Sequence, residues 1–96
     1  MEKIEHIGIA VRDLEEANAR FARLFGQAHY KIESVESEGV NTSFFQMGES
    51  KIELLESTDP NGPIGRFLDK RGEGVHHIAF AVTDIQAEMA RLQSEG

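Results

Sequence analysis

Apolar and polar positions alternate from residue 4 to 11. Ile7, Ile9 and Val11 fall on one side and His6, Gly8 and Ala10 on the other, the period-2 signature of a β-strand. Asp13 then reads as a helix N-cap, and Glu16 three positions later completes a capping-box pattern. Leu14, Ala17, Phe21, Leu24 and Phe25 recur at helical spacing until Gly26 closes the segment. Three further runs of strand character lie at about 28 to 35, 41 to 48 and 51 to 56, the last two reading as a hairpin across Gly48-Glu49-Ser50. The turn cluster from Ser57 to Gly62 leads into Pro63, which suits the first turn of a short helix through Leu68 to Arg71.

The opening pattern then returns. His6-Ile7-Gly8-Ile9-Ala10-Val11-Arg12-Asp13-Leu14 reappears as His77-Ile78-Ala79-Phe80-Ala81-Val82-Thr83-Asp84-Ile85 at a constant offset of 71 residues. The first unit reads βαβββ and the second begins βα, so the expected fold is α+β, built of paired βαβββ modules with the second incomplete within these residues. The expected division is a first module over 1–57, an inter-module helix and turn over 58–74, and the start of a second module over 75–96. Two such modules would set half-sheets side by side, their histidines related by a pseudo-two-fold axis. A sheet lacking the last three strands exposes an unpaired edge. The chain is therefore expected to be a partial copy, or to be completed by a partner chain.

Composition narrows the chemistry. Ninety-six residues make one compact domain near the lower limit for a self-sustaining core. No cysteine is present, which removes disulfides and thiolate ligands together and leaves any metal to His, Asp, Glu or Gln. The opening MEKIEHIGIAV is too acidic and alternates too early for a signal peptide, and no run of about 18 apolar residues occurs, so no membrane segment and a cytoplasmic location are expected. A net charge of -7 argues against nucleic acid as the main partner. The one dense basic cluster, Arg66, Lys70 and Arg71, is either a local site for an anionic substrate or a solvated helix face.

Small residues flank both repeated histidines: Gly8 and Ala10 beside His6, Ala79 and Ala81 beside His77. They leave a hollow on that face, while the bulky face is expected to pack on the helices. One strand histidine is usually an ordinary polar residue; two in equivalent positions make a metal pair as plausible as two unrelated ones. His76 alternates to the opposite face and reads as structural. Glu53 sits in the middle of the apolar strand Lys51-Ile52-Glu53-Leu54-Leu55, where a carboxylate is either coordinated or turned to solvent. The repeat offset carries Glu53 to position 124, so a symmetric fourth ligand would lie past Gly96. Two histidines with carboxylates suit Co²⁺, Mn²⁺, Ni²⁺, Fe²⁺ or Zn²⁺ alike.

These residues resemble the vicinal oxygen chelate superfamily, the glyoxalase, bleomycin resistance and dioxygenase group, and within it the methylmalonyl-CoA epimerase family. The carrying segments are His6 to Val11 with Asp13-Leu14, Ser50 to Leu55, and Gly62-Pro63-Ile64-Gly65-Arg66-Phe67-Leu68 leading into Gly74 to Phe80. The resemblance implies metal ligands at His6, Glu53 and His77, a divalent metal cofactor, an acyl-CoA substrate (methylmalonyl-CoA) and a homodimer. It also implies a fourth ligand and acid/base glutamate beyond Gly96. A second acid/base glutamate of some members falls on Thr42 here, with Glu36 and Glu38 as neighbouring carboxylates, so the catalytic residues are not identified. With three ligands of four, a chain ending at Gly96 is expected to turn over weakly unless another polypeptide supplies the glutamate. Rival expectations are a glyoxalase I-like lyase, an extradiol dioxygenase, or a non-catalytic small-molecule binding module of the same fold.

Overall fold

In the computed structural model, which describes residues 2–96, five strands and three helices follow the expected order. They are β1 (Lys3–Val11), α1 (Leu14–Phe25), β2 (Lys31–Val35), β3 (Val40–Met47), β4 (Ser50–Ser57), α2 (Pro63–Arg71), β5 (Gly74–Ala81) and α3 (Ile85–Glu95). A single 3-10 turn, Glu36–Glu38, joins β2 to β3. All five strands form one sheet in the order β2-β3-β4-β1-β5, with β1 parallel to β4 and the other neighbours antiparallel. No helix among the described residues is long and apolar enough to cross a membrane.

Local chemistry starts and stops the helices as the sequence predicts. The Asp13 carboxylate accepts the Glu16 backbone N–H, and α1 ends at Gly26, whose φ of 72° is the left-handed region that glycine enters without a Cβ clash. Pro63 opens α2, where its missing N–H leaves no bond unmade. Lys70 and Arg71 occupy the last turn of α2, exposed like Arg66, where cations complement the helix dipole.

Two apolar clusters lie on opposite faces of the sheet. Under α1, Val11, Leu14, Ala17, Phe45 and Leu54 are buried, with Phe21 and Phe25 packed against them. Under α2, Ala10, Val40, Leu55, Ile64 and Leu68 form the second. Leu24 departs from the expected stripe and is exposed, because it falls on the solvent side of α1. The bulky face of β5 also departs from expectation: Val75, Ile78 and Phe80 are exposed, and α3 buries none of its residues. The expectation that helices cover the bulky faces holds for β1 and fails for β5.

The β1–β5 pairing carries the repeat into three dimensions. Ile7 pairs with Ile78, His6 with Ala79 and Gly8 with His77, so the 71-residue offset maps each pair onto another across a local two-fold at Ile7 and Ile78. Further out, Ile4 pairs with Phe80 and Ile9 with Val75, which leaves Glu5 on β1 and His76 on β5 as extra residues without an opposite number. These are two symmetry-related bulges.

Candidate active site

Alternation along β1 and β4 brings His6 and Glu53 to one face, the parallel register setting Glu53 beside Gly8. His6 Nδ1 lies 3.4 Å from Glu53 Oε2, and His6 Nε2 lies 3.0 Å from His77 Nε2. The Glu53 side chain is only 14% exposed, which removes the reading of a solvent-facing strand glutamate. Burial pushes its pKa up, and the nearby His6 pulls against that shift. Burial also lowers the pKa of His77, reinforced by His6 and His76, so its ring stays neutral with a lone pair to offer.

Gly8 makes this arrangement possible. A Cβ there would stand 2.3 Å from Cε1 of His77, so the imidazole lies directly over the glycine backbone. The hollow expected from the small residues is thus occupied by the second histidine's ring.

The hollow opens into a cavity of about 480 Å³ on the same face. His6, Glu53, His77, His76, Thr42, Glu33 and Glu38 line it on the polar side, and Val40, Phe44, Leu55 and Ile64 on the apolar side. Thr42 is buried there, and Glu33 stands opposite it in the β2–β3 ladder. Glu38 contributes to the wall; Glu36 does not.

Two residues of the site escape strict alternation. His76, expected on the opposite face, lines the same cavity as His77, its Nδ1 2.9 Å from the Nδ1 of His77 and its ring edge-on to Phe67. The bulge at His76 breaks the period-2 rule locally and returns two successive side chains to one side. Glu5 does the same on β1, its Oε1 3.1 Å from His6 Nδ1, a hydrogen bond that lowers the Glu5 pKa. Glu5, His6 and Glu53 each offer a donor atom within 4.8 Å of the others. The available signal for Glu5 was its place in the repeat, since the offset carries it to His76. Glu33 left no such mark.

The donor types suit a divalent cation. His6 and His77 meet through Nε2, while Glu53 approaches Nδ1 of His6. The donor atoms that lie within 4.8 Å of one another are therefore those of Glu5, His6 and Glu53, and His77 stands outside that group. Two imidazole nitrogens held at about 2.1 Å from one ion and at right angles lie about 3.0 Å apart, the spacing of the two Nε2 atoms. A largely buried carboxylate beside His6 supplies the charge such an ion requires.

Comparison with known proteins places the chain in a family. Residues 5–96 match the model of the Glyoxalase/Bleomycin resistance protein/Dioxygenase superfamily. An uncharacterized Bacillus subtilis protein, YqjC, is 37% identical over 95 residues, covering 99% of this chain and 68% of its own length. The ethylmalonyl-CoA/methylmalonyl-CoA epimerase of Cereibacter sphaeroides is 36% identical over 95 residues, covering 98% of this chain and 71% of its own. The solved structure of Streptomyces coelicolor methylmalonyl-CoA epimerase in complex with 2-nitronate-propionyl-CoA matches 100% of this chain and 71% of that one, with a TM-score of 0.87 at 34% identity. The chain belongs to the glyoxalase/bleomycin resistance/dioxygenase superfamily, in the family that includes the methylmalonyl-CoA epimerases.

Proposed function

We propose that this protein is an isomerase that epimerises methylmalonyl-CoA, with His6, Glu53 and His77 as ligands of a divalent metal ion. The observation that carries the reading is the convergence of His6 and His77 at 3.0 Å beside the largely buried Glu53, in a chain whose relatives of named function are epimerases. Epimerisation removes the proton from a carbon between a thioester and a carboxylate and returns one to the opposite face. A bound divalent cation would supply electrostatic stabilisation of the enolate charge that develops.

The residues of the chain do the remainder. Gly8 seats His77, and Val40, Phe44, Leu55 and Ile64 form an apolar wall that excludes water around the reacting carbon. Thr42 stands where an acid/base glutamate is implied, and a hydroxyl is a poor base at neutral pH. Glu33, opposite Thr42 across the β2–β3 ladder and lining the same cavity, is the carboxylate we assign to proton transfer. The family resemblance implies a fourth ligand and a second proton-transfer group in addition to these, and a homodimer.

The test is exchange of the α proton of methylmalonyl-CoA in D₂O, followed by NMR with and without added Co²⁺. Exchange above the uncatalysed background that requires the ion, disappears in His6→Ala and drops about 10²-fold or more in Glu33→Gln supports the assignment. Ion uptake without exchange, accompanied by hemithioacetal isomerisation or by oxygen uptake with a catechol, gives the site to another metal enzyme of the superfamily. No ion uptake, with ligand binding indifferent to His6→Ala, identifies a non-catalytic binding module.

A further inference from the structure

The two bulges of the β1–β5 pairing fall at equivalent positions of the repeat, Glu5 and His76, immediately before the two site histidines. His76 lines the cavity, and Glu5 turns toward His6 and Glu53 at its edge. Glu5 Oε1 reaches Nδ1 of His6 at 3.1 Å, and His76 Nδ1 reaches Nδ1 of His77 at 2.9 Å. The Nε2 atoms of His6 and His77 meet between them at 3.0 Å. Both rings set Nδ1 against the bulge residue and Nε2 toward the partner histidine, and Nδ1 of His6 also has Glu53 Oε2 at 3.4 Å, a second acceptor that His77 lacks.

An imidazole that ligates through Nε2 carries its proton on Nδ1 and must donate it to something. We propose that Glu5 and His76 are positioning residues, placed by the paired bulges to accept the Nδ1–H of His6 and His77 and so turn both Nε2 lone pairs toward one divalent ion. The proposal rests on the metal reading above and concerns the residues behind the ligands.

The two supports differ in kind. The Glu5 carboxylate only accepts, so His6 is held as the Nδ1–H form whether or not an ion is bound. His76 is adaptable, and the hydrogen-bond logic of the ion-free chain uses that. His6 Nε2, being bare, accepts from an Nε2–H of His77; the Nδ1 of His77 then accepts from an Nδ1–H of His76. An ion needs the Nε2 of His77 bare as well. On loading, His77 moves its proton to Nδ1 and His76 moves its own to Nε2, each ring staying neutral and no net proton leaving the pair. The symmetric bulges therefore build one fixed ligand and one that switches tautomer.

Histidine ¹⁵N NMR of the whole chain with and without Zn²⁺, alongside Zn²⁺ affinities of variants, tests this. Expected without the ion are Nδ1–H on His6 and Nε2–H on His77; expected with it are Nδ1–H on both, the Nε2 atoms carrying the metal-induced shift. Glu5→Ala and His76→Ala each weaken Zn²⁺ binding about tenfold or more. Glu5→Gln, which keeps an acceptor oxygen, and His76→Asn, whose amide oxygen can stand in for the accepting Nδ1, recover most of the affinity. Zn²⁺ bound through Nδ1 of His6, as it would be if Glu5 were itself a ligand, overturns the proposal. So do alanine variants that bind as tightly as the unsubstituted chain, a result that leaves the metal reading standing. Absence of Zn²⁺ uptake by the unsubstituted chain overturns both.

Discussion

The two repeats begin alike and end differently. Asp13 and Asp84 each cap a helix through the side chain, Asp13 accepting from the N–H of Glu16 and Asp84 from those of Gln86 and Ala87. Leu14, first in α1, is 6% exposed, whereas its counterpart Ile85 in α3 is 61% exposed. Asn18 is buried and its counterpart Met89 is not. The difference lies beneath the helices: α1 rests on Phe45 of β3 and Leu54 of β4, and no strands stand in the equivalent places under α3 among the described residues. Capping and spacing make a helix start; a floor of other strands makes it part of a core.

If that floor separates the repeats, truncating it has the largest effect. Phe45→Ala destabilises the chain by about 3 to 5 kcal/mol, while Leu92→Ala on α3 stays within about 0.5 kcal/mol, read as midpoints in urea denaturation. Equal costs would erase the comparison. The next break is at the site itself. Gly8→Ala drives the His77 ring off its seat and weakens Zn²⁺ binding on the order of 100-fold, about 2.7 kcal/mol. Ala79→Gly, its symmetry mate beside His6, leaves binding near the original value, as isothermal titration would show.

Capping sharpens the contrast further. Asp13→Ala lowers global stability by about 1 kcal/mol, because α1 folds with the sheet. Asp84→Ala reduces helical ellipticity without moving the denaturation midpoint, because α3 is not held by the core. The smallest effect expected is one of pH. His77 in the ion-free chain has a folded pKa below its ordinary value of 6.5, so the unfolded chain takes up the proton first. Stability is full above about pH 6.5 and falls as pH drops through that value toward the lowered folded one. His77→Asn should flatten the midpoint over this window; an unchanged slope would assign it to another group.

Much of the site was legible because it follows local periodicity. His6 and His77 were marked by the repeat, and Glu53 by being a lone carboxylate in an apolar strand whose period turns it the same way as its neighbours' small residues. The placement of His76 and Glu5 escapes strand periodicity for a single reason. A bulge is a property of how two strands are paired, and β1 and β5 are about seventy positions apart in the chain. Glu33 was hidden likewise, since its nearness to Thr42 is a cross-strand register and not a spacing along β2.

By itself, the order of residues determined the elements, their caps, the superfamily pattern and three candidate ligands, because strand and helix periods and capping chemistry act over a few neighbouring residues. Only the tertiary structure decided which helix is buried, which side His76 faces, and that Glu5 and His76 stand behind the two histidines. Those outcomes depend on pairing register and on what lies beneath each element, interactions between segments that no local pattern contains.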